Sequence, residues 1–254
     1  MSDAPDAPDR AEIARLLDEL GDDEKASASR IAVCEVIASA LAQLGKLLWV
    51  SGYFVGQDRV SGESPFQFGD DGAVGIATVC QIGGELSAGA VALLKAGNQY
   101  AASALIRQLV EVEYLADAFA VEDEIAAQWL RADRDERRTF WSPGKLRDRA
   151  NGRFLNTDYW HHCEVGGHPT TRGMGLLPDH HRLNIAYLWV DMAGHLSGIW
   201  RSSLASAVRL KHGAVPGETR VREVNAAIDH WHATDGMYAA LGDLNRILRD
   251  DAVA

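Results

Sequence analysis

An all-α fold, a single bundle of about seven to nine helices with long antiparallel neighbours, is predicted by three observations. Apolar residues recur at three- and four-residue intervals along most of the chain, alternating runs closed by hairpin turns are scarce, and Gly, Pro and Ser collect between segments long enough to be helices. The composition agrees: of 254 residues, 47% are hydrophobic and 24% charged, as in an ordinary globular protein able to bury a core without staples.

The elements follow in order. Residues 1–10 (MSDAPDAPDR) are acidic and rich in Pro and Ala, which predicts a flexible tail and lacks the basic start and apolar stretch of a signal peptide. Residues 11–254 read as one domain, in which 11–57 can form a semi-separate N-terminal helical layer. A short helix over 11–20 ends at Gly21; a long one from Glu24 to about Val55 carries Ile31, Val33, Val36, Ile37, Leu41, Leu44, Leu47 and Leu48 at helical spacing. Gly, Ser and Pro65 make 57–69 a loop, after which Asp70 or Asp71 caps a helix running to Lys95, with a bend expected at Gly83–Gly84. The apolar stretch Gly72–Leu94 is long enough for a bilayer, but Gln81 and Glu85 near its middle favour a buried bundle helix over a membrane span.

Gly97–Asn98 stops that helix, and Gln99 to about Ala120 forms the next. A charged helix is expected from Glu122 to about Arg138, and Ser142–Pro143 opens a short one through Arg149. Residues 151–178 read as irregular, with Thr157 capping one turn. Two long helices finish the chain, His181 to about Lys211 and Glu218 to about Arg249, parted by the Gly213/Pro216/Gly217 turn.

Charge and motifs exclude several functions. A formal net charge of -11 argues against a broad cationic nucleic-acid surface and leaves only a local cleft for RNA or a nucleotide. Cys34, Cys80 and Cys163 are odd in number, widely spaced and without CxxC, which suits a reducing cytoplasm rather than a disulfide framework. The phosphate loop GxxxxGK[ST], the GxSxG elbow and the HExxH helix do not occur.

On the helix 99–120, Ala101, Leu105, Leu109, Val112, Ala116 and Phe119 are expected to form the core face. Gln99, Glu113 and Asp117 make one polar stripe, and Tyr100, Ser103, Arg107, Glu111 and Tyr114 a second; one is expected to meet water and the other a neighbour or cavity. Arg107 and Glu111 are four apart and can pair. Downstream, Tyr159-Trp160-His161-His162-Cys163-Glu164 and Gly166-Gly167-His168-Pro169 concentrate imidazoles, a thiol and a carboxylate. His161, His162, Cys163 and His168 could nominally hold zinc, but adjacent histidines diverge on a helix and no second cluster at standard spacing exists, so neither metal nor cofactor is expected. No Glu is followed three residues later by His, as a di-iron bundle requires. His168, fixed by Pro169 and the glycines, is instead expected to project toward Arg107 and Glu111 and move protons there. Asn184, Tyr187, Asp191 and His195 form a further stripe, read as a polar seam or as an imidazole oriented by Asp191. Asp229, His230 and His232 read as a solvated edge, and Trp189, Trp200 and Trp231 as core or dimer-interface residues.

The stretch Ala92–Glu111, containing A-x-x-L-x-R-x-x-x-E, with Tyr159 and His168–Pro169 downstream, resembles an uncharacterised bacterial all-helical family akin to the HEPN-type domains. The resemblance spans about residues 84–200. It implies a homodimer and makes Arg107, Glu111 and His168 the catalytic positions to test, with Tyr100, Ser103, Tyr159 and His195 as substrate-binding neighbours. The Arg-then-His spacing of HEPN ribonucleases, four to six residues apart, does not occur in this chain. Two functions therefore stand as expectations: a dimeric ligand-sensing or protein-interaction module, and, as the alternative, a metal-independent ribonuclease-like toxin or anti-phage effector.

Overall fold

The computed structural model describes residues 15, 18–21, 23–54, 70–122, 124–178, 185–210 and 214–241. The tail 1–10, the loop 57–69, Asn184 and the end of the last predicted helix lie outside them. Among the described residues there is no strand, and nine α-helices have seven or more residues, which is the all-α bundle expected. In chain order they are α1 (Glu24–Phe54), α2 (Asp71–Lys95), α3 (Gln99–Val121), α4 (Ile125–Arg131), α5 (Arg134–Phe140), α6 (Pro143–Arg149), α7 (Asn156–His162), α8 (Ile185–Arg209) and α9 (Glu218–Thr234).

The four long helices α1, α2, α3 and α8 enclose the core. Ile37, Leu41, Leu44 and Leu48 of α1 share one apolar cluster with Ile106 and Leu109 of α3, Leu196, Ile199 and Trp200 of α8, and Trp231 of α9. Glycine sets how closely α1 and α2 approach: a methyl on Gly84 would lie 3.1 Å from the Ala42 amide nitrogen. Helix α2 runs through Gly83–Gly84 without a break, and these glycines lie in its packing contacts with α1 and α3. By length and composition α1 and α2 could each cross a membrane, and half of the most apolar window of each is buried inside the bundle. Trp189, Trp200 and Trp231 are all core residues.

Local chemistry places the ends of the elements. Asp70 accepts from the Ala73 amide and starts α2, while Gly97, at φ 75°, turns the chain from α2 into α3. The single charged helix expected over 122–138 is two. Asp133 accepts from the Asp135 and Glu136 amides, Glu136 reaches back to the Asp133 amide, and this capping box starts α5 anew. Thr157 lies inside α7 rather than capping it, since the helix begins at Asn156. The expected last helix breaks at Asp235, which is extended at φ -94°, ψ 100°.

That break has a tertiary cause. Arg30 of α1, fully buried, donates Nε to Asp235 Oδ2 and Nη2 to Oδ1, both at 2.7 Å, and Trp231 Nε1 donates to Oδ2 at 2.8 Å. The amides of Met237 and Tyr238 donate to Oδ1 and begin the next helical turn. Burial pushes the Asp235 carboxyl up, but the hydrogen bonds from Arg30 and Trp231 outweigh it and hold the carboxyl below its ordinary value of 3.8. Its contribution to stability is thus complete above that value and is lost as pH falls through the depressed one. Asp235→Asn leaves Arg30 buried and uncompensated and is expected to cost about 3–5 kcal/mol near neutral pH. Urea unfolding should show the gap between wild type and variant narrowing as pH falls below about 4; a gap constant with pH would contradict the pairing.

Candidate functional site

Helix α3 lies at the centre, and both of its polar stripes face protein. Tyr114 and Ser103 are buried on one, Glu113, Asp117 and Gln99 on the other, so neither is the solvated face. On the expected core face Ala101 and Leu105 are only partly buried, while Ala102, Ile106 and Val110 are fully so. Helix α7, the wide π turn Cys163–Gly167 that follows it, and α8 receive several of these polar groups, while Asp117 pairs with Arg153 just before α7.

On the first stripe Arg107 Nη1 pairs with Glu111 Oε1 at 2.7 Å, and Nη2 donates to the Tyr159 hydroxyl at 2.7 Å. The Tyr159 hydroxyl donates in turn to Glu111 Oε1 at 3.5 Å, the guanidinium lies 5.0 Å from the Tyr159 ring centroid, and Arg147 stacks on the same ring at 4.1 Å. The π turn presses on this network through glycine. A methyl on Gly167 would stand 2.7 Å from Arg107 Cδ, and one on Gly166 only 2.6 Å from the Ser103 carbonyl carbon. Ser103 is thereby sealed rather than offered to a substrate, and the Tyr100 hydroxyl anchors the same loop by donating to the His168 carbonyl at 3.3 Å.

Arg107, Glu111 and Tyr159 therefore meet as expected, but the His168 imidazole does not join them. The loop docks on α3 through its glycines and turns that ring outward into solvent, where it makes neither a hydrogen bond nor an ion pair with Arg107 or Glu111. Another imidazole, His195, meets the central helix at its opposite stripe, and His162 meets His195 in turn.

His195 of α8 and His162 of α7 form that second cluster. His195 Nδ1 lies 2.7 Å from Glu113 Oε2, and its Nε2 faces His162 Nε2 at 3.2 Å. Asp191 Oδ1 stands 3.5 Å from His195 Nε2 and 3.6 Å from His162 Nε2, and Asp158 Oδ1 is 3.7 Å from the latter. Glycine again makes the approach: a methyl on Gly198, one turn from His195, would collide with Glu113 Oε1. Burial disfavours the charged form of His195, but Asp191 and Glu113 more than reverse this and raise its pKa well above the ordinary imidazole value. At His162 burial dominates and lowers it. Burial also pushes Asp191 up, yet the two imidazoles outweigh it and hold the carboxyl at about 2, while burial and Asp191 push the Tyr187 hydroxyl up to about 12.

The reading of Asp191 beside His195 as an oriented imidazole is met in part, since the pair is present but Glu113 makes the shorter contact. Glu113 and His162 were missed as site residues. The missing signal for Glu113 is its partner, 82 residues away in sequence. For His162 a signal existed: on a helix it and His161 diverge by about 100°, so one can face the bundle while the other meets water, and His161 is exposed while His162 is 4% exposed.

Gly166→Ala sets a methyl against α3 backbone, which cannot yield, and is expected to destabilise by about 1–3 kcal/mol. Gly198→Ala drives its methyl into the buried Glu113 carboxylate and parts it from His195, so it should destabilise as well, by about 1–3 kcal/mol. Thermal melts test both variants; a melting temperature unchanged in either would contradict the close approach at that glycine.

Comparison of the chain with protein-family models, with curated proteins and with solved structures gives no match, so the functional reading rests on this geometry.

Proposed function

We propose that the chain is a non-catalytic, ligand-sensing helical module whose responsive element is the seam where α7 meets α3 and α8. The observation that carries this reading is the contrast between the two clusters on α3. The guanidinium of Arg107 spends its donors on Glu111 and Tyr159 beneath a glycine lid, and its side chain is only 16% exposed, so it presents no free fork to a phosphate. Glu111 reaches solvent, with its side chain 35% exposed, but its charge is matched by Arg107, and a mutually satisfied network is what a structural role requires.

The second cluster is built differently. Its imidazoles are buried, but Asp191 is 20% and Asp158 44% exposed, so the cluster has a solvent side. It also ties together three helices, one of which, α7, is only seven residues long and leads into the π turn. A ligand bridging α7 to α8 there would fix the position of the whole segment 156–168, which is the property of a sensor. The ribonuclease alternative needs a proton-carrying imidazole at Arg107, and His168 faces solvent instead.

The test is incubation of the purified chain with cellular RNA. The RNA is expected to keep its length distribution with wild type and with Arg107→Ala alike, while Arg107→Ala loses about 1–3 kcal/mol of stability from its charge-assisted hydrogen bonds. RNA cleavage by wild type that disappears in Arg107→Ala would overturn the reading.

A further inference from the structure

We infer that the seam is a divalent-metal site of the zinc class, with His162 Nε2, His195 Nε2 and Asp191 Oδ1 as ligands and Asp158 closing the set. The inference deepens the sensing reading and rests on it for the role of the bound ion. Its first support is spacing. The three atoms are separated by 3.2, 3.5 and 3.6 Å, and Asp158 Oδ1 lies 3.7 Å from His162 Nε2. Ligands held about 2.0–2.1 Å from a tetrahedral ion stand about 3.3 Å from one another, so an ion fits His162, His195 and Asp191 with shifts of a few tenths of an ångström, and Asp158 has to swing further to complete the set. Asp158, His162 and His195 each place a ligand atom within 4.8 Å of the other two.

The second support is orientation. Two imidazole Nε2 atoms pointing at one another is an arrangement in which both lone pairs can serve one cation. His195 is set for this by its other nitrogen: with Nδ1 donating to Glu113, the Nε2 proton is the one a bound ion displaces, and the Nε2 lone pair then points into the cluster. A carboxylate behind a ligating imidazole is the usual support of a metal-bound histidine, fixing tautomer and ring angle. Glu113 is itself 7% exposed and held in place by the absence of a side chain at Gly198.

The third support is chemistry and access. Two imidazoles and two carboxylates are borderline ligands that suit zinc and its neighbours and do not suit calcium or magnesium, which take oxygen alone. The half-exposed Asp158 gives an ion a way in from solvent. His161, Cys163 and His168, the remaining members of the histidine-rich segment, take no part: His161 and His168 are exposed, and Cys163 sits beside Arg107 on the other side of α7.

The test is titration of the metal-stripped full chain with zinc(II) by calorimetry, repeated with cobalt(II) while following its visible absorption. Wild type is expected to bind one equivalent of either ion, with cobalt giving the intense d–d bands of a four-coordinate site. His195→Ala and His162→Ala should each weaken binding at least about 100-fold, and Glu113→Gln about 10- to 100-fold with the cobalt bands retained. Asp191→Asn, which keeps side-chain size, provides a second ligand variant should a histidine variant fail to fold, and circular dichroism reports helix content in each. Absence of stoichiometric binding to folded wild type, or binding that survives loss of His162 and Asp191, overturns the inference. Failure of the sensing reading registers separately, as RNA cleavage by the same preparations whatever the metal result.

Discussion

The contact between Glu113 and His195 is the constraint on which the site depends. It joins α3 to α8 inside the bundle, at 2.7 Å, where Gly198 leaves room for a carboxylate between two helices. A buried carboxylate without a partner would cost several kcal/mol or lose its charge, so the imidazole it meets is held firmly. Holding Nδ1 fixes where Nε2 points, and Nε2 points at His162. The position of α7 then follows, because His162 faces the seam and Tyr159, three residues earlier, faces Arg107. One short helix thus engages both polar stripes of α3.

The two stripes divide the work by the way their charges are satisfied. Arg107 is neutralised by its own helix neighbour Glu111 and roofed by Gly166–Gly167, an arrangement that locks the π turn onto the bundle. The second cluster combines pairs within one helix, Asp191 with His195 and Asp158 with His162, with contacts from α7 to α8, and it sets two buried imidazole nitrogens face to face. A species bound between those nitrogens would couple to the positions of both helices. Elsewhere the Arg30–Asp235 pair shows the same economy in a purely structural setting: one buried guanidinium holds the end of α9, the start of the next turn and the carbonyls of Leu20 and Gly21.

Much of this was readable from residues alone, because local rules govern it. The apolar spacing of α1, the Asp70 cap, the Gly97 turn and the Ser142–Pro143 start each depend on neighbours within a few positions. So does the Arg107–Glu111 pair, and the capping box at Asp133 was legible by the same rule, since Glu follows three residues after Asp. What escaped depends on distant partners. Asp235–Gly236 is a local stop signal that the apolar pattern on either side outweighed, and the partner that fixes the break, Arg30, lies 205 residues away. Likewise the chain carries Glu113, His162 and His195 on three separate elements, and only packing reveals that they share a site. The glycines beside His168 drew the reading toward that imidazole, when their role is to let backbone rest on Ser103 and Arg107.

The most direct test of the seam as the functional centre is anomalous diffraction at the zinc edge from crystals of the chain grown with equimolar zinc. The account predicts one dominant peak between α7 and α8, at about 2.0–2.1 Å from both His162 Nε2 and His195 Nε2, with Glu113 still against His195 Nδ1. Peaks confined to the exposed His161, His168 or surface carboxylates, with the seam closed on itself by hydrogen bonds, would contradict it.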